Sequence, residues 1–205
     1  MDLLKKEEMP SDAAREYLAV LDRQSQRLRK LTEDLVEASK ASTGNIPVSP
    51  APTDLNVLLS QVCGEYQQRL EDQVLEPVLA LCQPGPVAMA DGRLLWRVLD
   101  NLMSNICKYA MPGTRVYLST EAGEDGVRMV VKNISRYPLN ISADELTERF
   151  VRGDSSRSTE GSGLGLSIAT SLTAIQGGDF RLTIDGDLFK VTLTLPRAEQ
   201  EEKQE

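Results

Sequence analysis

The chain has 205 residues, 40% of them hydrophobic, with a formal net charge of −8 and no histidine. That allows one or two domains with an ordinary core. It excludes the clustered Lys/Arg footprint of a broad nucleic-acid binder, and also Ser–His or Cys–His catalysis and any His-ligated metal. No stretch reaches the ~18–20 consecutive apolar residues of a membrane span. Residues 1–8 lack the apolar h-region and small-residue cleavage site of a secretory signal. Cys63, Cys82 and Cys107 are odd in number and lack C-x-x-C spacing. They suggest neither a zinc site nor a disulfide framework, and they fit a reducing, cytoplasmic setting.

In chain order, residues 2–8 resemble the last two turns of a helix, stopped at Pro10. Residues 12–41 then read as one long helix, with Ser11 as its N-cap. Tyr17, Leu21, Leu28, Leu31, Leu35 and Ala38 recur at spacings of three, four or seven, a bundle or coiled-coil seam interrupted at Gln24. Such a helix would be roughly 45 Å long and cannot bury its own stripe. It therefore reads as part of a truncated helical bundle in want of a partner, for which dimerisation is the usual remedy. Residues 42–53, rich in Pro, Ser and Thr, mark a linker.

A second domain is expected over 54–196. Asp54 caps a helix carrying Leu55, Leu58, Leu59, Val62 and Tyr66, and Val74–Leu81 reads as a strand. Asp91 caps a helix over 92–110 whose apolar stripe is Leu95, Val98, Leu99, Leu102 and Ile106. Strands at 115–120 and 127–131 are joined by the 123–126 turn, and a short helix follows at 144–151. A helix over 164–176 ends at Gly177-Gly178, and strands at 179–184 and 188–195 close the domain. Helices mixed with hairpins imply an α/β two-layer sandwich, a mostly antiparallel sheet packed on helices. The tail 197–205 is charged and expected to fray.

Two motifs carry the chemistry. In Asn101-Leu-Met-Ser-Asn105-Ile-Cys-Lys108-Tyr109, the residues Asn101, Asn105 and Lys108 fall at i, i+4 and i+7, hence on one helical face. Asparagine is a poor helix former, so the pair asks for a reason. A carboxamide oxygen suits Mg²⁺ alongside waters and phosphates, and Lys108 offers a point charge to a phosphate. Taken alone, the same residues also read as a solvated surface. The second motif is Gly161-Ser-Gly163-Leu164-Gly165-Leu166, a glycine-rich turn opening onto a helix, where backbone N–H groups and the helix dipole favour an anion. A lone G-x-G is common in ordinary turns. The segment between the motifs, 150–160, is small, polar and charged, and reads as a mobile loop. Its Arg152 and Arg157 suit either a phosphate or the neighbouring carboxylates Asp154 and Glu160.

With these motifs in this order, the chain resembles a bacterial two-component sensor histidine kinase, whose ATP-binding domain belongs to the gyrase, Hsp90, histidine kinase and MutL superfamily. Asn101–Tyr109 resembles the N box, Glu148-Arg149-Phe150 with Arg152-Gly153-Asp154 the F box, and Gly161–Leu166 the G2 box. The resemblance implies ATP and Mg²⁺ as cofactors, with Asn105 as the metal ligand and Asn101 and Lys108 assisting at metal and phosphates. It implies Tyr109 against the adenine and Phe150 anchoring a lid over 151–162. Arg152 lies within that lid, and the backbone of Gly161, Gly163, Leu164, Gly165 and Leu166 would hold the phosphates.

Two departures stand out. The family's G1 box has Asp-x-Gly-x-Gly, whereas here Asn133 takes the Asp position and the following residues through Asn140 contain no glycine. An amide oxygen still accepts a bond from the adenine amino group, with lower affinity and a reshaped wall expected. The family's phosphoacceptor histidine is also absent. Residues 1–41 resemble the later part of the dimerisation hairpin, so the chain is expected to be a piece of a longer, membrane-anchored kinase and unable to phosphorylate itself. The expected partners are ATP, the histidine-bearing helix of the parent, a response regulator and a second copy of the parent, with neither nucleic acid nor membrane contacted by this piece. Two other readings stay open. One is a degenerate module that binds nucleotide poorly and acts through its helix. The other is a serine kinase or ATPase of the same superfamily, which the seam at 17–38 argues against.

Overall fold

The computed structural model describes residues 11–42, 45–139, 142–147 and 163–198. The chain runs through helix α1 (Ser11–Ser42), strand β1 (Ala51–Asp54), helix α2 (Leu55–Asp72), and strands β2 (Glu76–Ala80) and β3 (Val87–Ala90). Helix α3 (Gly92–Tyr109) leads to the hairpin of β4 (Arg115–Gly123) and β5 (Gly126–Ile134). Helices α4 (Ala143–Thr147) and α5 (Gly165–Ala174) and the hairpin of β6 (Asp179–Asp185) and β7 (Leu188–Leu195) complete it. Helix α1 is the long helix expected from the seam. Most of that seam is uncovered: Tyr17, Leu21, Leu28 and Leu35 are exposed, while Ala38 and Ala41 are buried.

Among the described residues the body is a five-stranded sheet in the order β2-β4-β5-β7-β6, with helices on one face. Neighbours pair antiparallel except β2 and β4, which run parallel. Alternation dictates the inner face: Val116 and Leu118, then Val127, Met129 and Val131, then Val191, Leu193 and Leu195 all join one core. Helices α2, α3 and α5 cover that face. Asp54 accepts hydrogen bonds from Asn56 and Val57 N–H at the start of α2, as an N-cap should. The whole apolar stripe read on α3 is buried, with Met103 added to it. The mixed two-layer sandwich therefore agrees with the sequence reading.

The differences have local causes. Strand β2 begins at Glu76 rather than Val74 because Val74 adopts a left-handed φ of 56° in the turn that closes α2. Residues 51–53, read as the end of the linker, join Asp54 in β1, which pairs antiparallel with β3. The expected frayed tail is held at its start: Ala88 bridges Arg197, Met89 N–H donates to Pro196 O, and Ala198 N–H donates to Val87 O. The short helix expected at 144–151 is described as α4. Its later residues, like the expected helix at 2–8, lie outside the described residues.

Candidate functional site

Helix α3 is pinned at both ends. At its start Asp91 caps it, accepting from Arg93 N–H; Asp91 also accepts from Ser49 N–H across the linker and from the Arg93 guanidinium. The Asp91 N–H in turn donates to Gln176 Oε1 beyond α5. The Arg93 guanidinium, ahead of the backbone donors, holds the Asp91 carboxyl down to about 2. At the other end Arg136 N–H donates to Tyr109 O, Met111 N–H donates to Ile134 O, and Ala110 bridges Ser135.

Held this way, α3 turns its carboxamides towards the start of α5. A Cβ built on Gly165 would lie 3.3 Å from Asn101 Oδ1 and 3.8 Å from both amide atoms of Asn105. Any other residue at 165 would crowd that approach. Gly163, just before, takes a left-handed φ of 70°, where glycine carries no Cβ penalty. Leu164, at the N-cap position, makes no side-chain cap bond. The first N–H groups of α5 therefore receive no cap from that side chain at the point where the two asparagines meet the turn. Such an arrangement suits an anion.

Several of the expected residues fall among those described. Asn101 is buried, and its Nδ2 donates back to Arg97 O, which accounts for one asparagine inside a helix. Asn105 is half-buried and lies beside Gly165. Lys108 is exposed, yet partial desolvation holds its ammonium below the usual lysine range against the raising pull of Asp34 and Asp100. Leu164 is buried and Leu166 half-buried, both packing into the core that anchors the turn. Tyr109 is half-buried at the end of α3.

Asn133 is 5% exposed and continues the helix-facing row of Val127, Met129 and Val131. Its Nδ2 donates to Ile134 O. It stands two residues before Ser135, which bridges to the end of α3. A polar group at the end of an apolar row, beside the asparagine helix, is the kind of buried amide that asks for a partner. Phe150, Arg152 and Gly161, together with the rest of the expected lid, lie outside the described residues.

The sequence pattern does not single out Arg97, which is half-buried between carboxylates of α1 and α3. A cation beside the apolar stripe of α3, facing an Asp/Glu pair three residues apart on α1, is the signal that marks it.

Residues 90–199 match the family described as histidine kinase-, DNA gyrase B- and HSP90-like ATPase. The chain is 30% identical over 200 residues to the sensor protein VanSC of Enterococcus gallinarum, covering 96% of this chain and 55% of that protein. It is 26% identical to the sensor histidine kinase WalK of Bacillus subtilis, covering 93% and 32%. It thus spans about half or less of the length of these relatives. Among solved structures it superposes on the Acinetobacter baumannii histidine kinase AdeS with a TM-score of 0.76 at 19% identity, covering 96% of this chain and 90% of that one. It superposes on full-length ShkA, solved in complex with AMPPNP, with a TM-score of 0.77 at 27% identity, covering 93% and 40%. No helix among the described residues is long and apolar enough to cross a membrane. The match over residues 90–199, more than half of the chain, on a fold in which a glycine turn meets two carboxamides, makes the chain a member of the histidine kinase-, DNA gyrase B- and HSP90-like ATPase family.

Proposed function

We propose that this chain is the ATP-binding catalytic part of a sensor histidine kinase, acting on the cytoplasmic side of a membrane-anchored parent. It would direct the ATP γ-phosphoryl group to a histidine outside this chain, which contains none. From there the group would pass to a response regulator. The observation that carries the reading is the close approach of Gly165 to Asn101 and Asn105. It sets two amides against the start of α5, and these, with the N–H groups there and the Lys108 ammonium further along α3, would suit a polyphosphate.

The residues fit an ATP·Mg²⁺ pair. Among the described residues no group of three or more His, Cys, Asp or Glu side chains is arranged to hold a metal ion by itself. Phosphate oxygens, water and the Asn105 amide oxygen would therefore make the hard-oxygen set that Mg²⁺ prefers. When bound, Mg²⁺ supplies charge neutralisation on the phosphates. The chain's own part is positional: the turn amides at 163–165 hold the phosphates, Lys108 offsets their charge, and Asn101 braces Asn105 through the same helix face. Asn133 and Tyr109 would face the base. The phosphoryl group is brought to the acceptor helix by movement about the segment before Ala51. In the parent a second copy would cover the exposed seam of α1.

Calorimetry with ATP, ADP and GTP, with and without Mg²⁺, tests the pocket. Adenine-selective binding that Asn105→Ala weakens at least tenfold, with the melting temperature unchanged, is expected. Absence of binding at millimolar nucleotide would leave an interaction module instead. Labelled ATP mixed with this chain and a histidine-bearing bundle then tests transfer, and an unlabelled bundle in the presence of bound ATP would refute catalytic competence.

A further inference from the structure

The helices cover one face of the sheet; the other face carries a charge pattern of its own. Val131 and Val191 point into the core, so alternation turns Lys132 of β5 and Lys190 of β7 outward. The two lysines stand directly opposite each other in the ladder. On its other side Lys132 faces Tyr117 of β4, with Nζ 5.6 Å from the ring centroid. Lys190 is flanked by Thr183 of β6, and Arg181, two residues earlier on that strand, lies diagonal to it.

Like charges directly opposite on one face destabilise a ladder. Nothing within the two strands relieves this pair: β5 and β7 contain no Asp or Glu, in a chain that has 31 of them. Among the described residues neither lysine makes an ion pair. Arg181 meets Asp179 only at 3.9 Å, and its side chain is 76% exposed. Tyr117 is exposed as well. Three cations and an aromatic ring thus occupy the middle of a sheet face without a matching anion.

The surroundings fix the shape of the anion that suits them. Carboxylates on this face stand at its margins: Glu76 on β2, Glu121 towards the end of β4, and Asp179 and Asp185 at the two ends of β6. A bilayer or a nucleic-acid duplex is broad enough to press on those carboxylates, whereas a narrow acidic chain passes between them. Arg181, as a diagonal neighbour, lies about 7–8 Å from Lys190. Side chains two residues apart on an extended chain are separated by about 7 Å on one face. A carboxylate between Lys132 and Lys190 therefore puts the next-but-one residue of such a chain at Arg181. The acidic end of this chain is a poor match. Arg197 Nη2 donates to Gly123 O at the β4–β5 turn, and Lys132 lies six residues along β5 from Gly126, about 20 Å away. Glu199, Glu201 and Glu202 follow Arg197 within five residues, about 17 Å of extended chain, and fall short of the lysines.

We propose that the outward face of β5 and β7 is a docking surface for an extended, carboxylate-rich segment of another protein, with acidic residues at alternate positions. The Lys132–Lys190 pair takes one carboxylate, Arg181 takes the next, and the ring of Tyr117 borders the first. The surface lies on the opposite side of the sheet from the asparagine helix, so it is independent of what the cleft holds.

The test titrates the full chain at low ionic strength with two labelled synthetic peptides of equal length and charge, read by fluorescence anisotropy. One carries glutamates at alternate positions, the other the same glutamates side by side at one end. The alternating peptide should bind about fivefold more tightly, and Lys190→Gln and Arg181→Gln should each weaken it by a similar factor. Added salt should weaken it further. The melting temperature of Lys190→Gln should be unchanged or raised, because the like-charge pair is relieved. Equal affinity for the two peptides, no binding of the alternating one, or binding that Lys190→Gln leaves unchanged overturns the docking surface. Capture of the chain by phosphatidylcholine–phosphatidylserine vesicles that is lost in Lys190→Gln would assign the face to a membrane and overturn it as well. So would a peptide that binds only after residues 199–205 are removed, since the chain's own end would then hold the face.

Discussion

Helices α1 and α3 are both long and amphipathic, yet they end in opposite states. On α3 the stripe Leu95, Val98, Leu99, Leu102 and Ile106 is wholly buried between the sheet, α2 and α5. On α1 the comparable positions Leu21, Leu28 and Leu35 face outward, and small residues near its end reach the core. Periodicity says that a face is meant to be covered; whether this chain supplies the cover is a tertiary matter.

Substitutions test how far that contrast holds. Leu99→Ala in the buried stripe should cost about 3–4 kcal/mol in denaturant unfolding, the usual range for a fully buried leucine. A loss below about 1 kcal/mol would mean that α3 is less tightly held than its burial implies. Gln176→Ala should cost about 2 kcal/mol, because it strands the buried Asp91 N–H. Asp91→Ala should cost about 1–2 kcal/mol through loss of the α3 cap. The folded Asp91 carboxyl, at about 2, lies below its ordinary value of 3.8. Its contribution is therefore complete above about pH 4 and lost as pH falls towards 2. Acid titration of stability should show that loss in the parent chain and a smaller one in Asp91→Asn. Smallest of all, Leu28→Ala on α1 should change stability by less than about 0.5 kcal/mol at low protein concentration. A larger, concentration-dependent loss would show a second copy covering the seam.

What the sequence made legible was local. The Asp54 and Asp91 caps, the stripe on α3 and the final hairpin each depend on residues a few positions apart. The approach of Gly165 to Asn101 and Asn105 was readable only as a likeness of motifs, since the two are distant in the chain and meet through the packing of α3 on α5. Strands β1 and β3 escaped because each is four residues long, β1 contains Pro52, and the two are separated by a helix and a strand. The parallel pairing of β2 with β4 is likewise set by topology rather than by pattern. Arg97 gave no periodic signal, because two of its three carboxylate partners sit on another helix.

Strand β3 has β1 along one edge and residues 196–198 along the other. The polypeptide consequently enters and leaves the sandwich at a single corner. Anything joined at either point would depart beside the other, and a shift of β1 would reach residues 196–198 through the one strand that both flank.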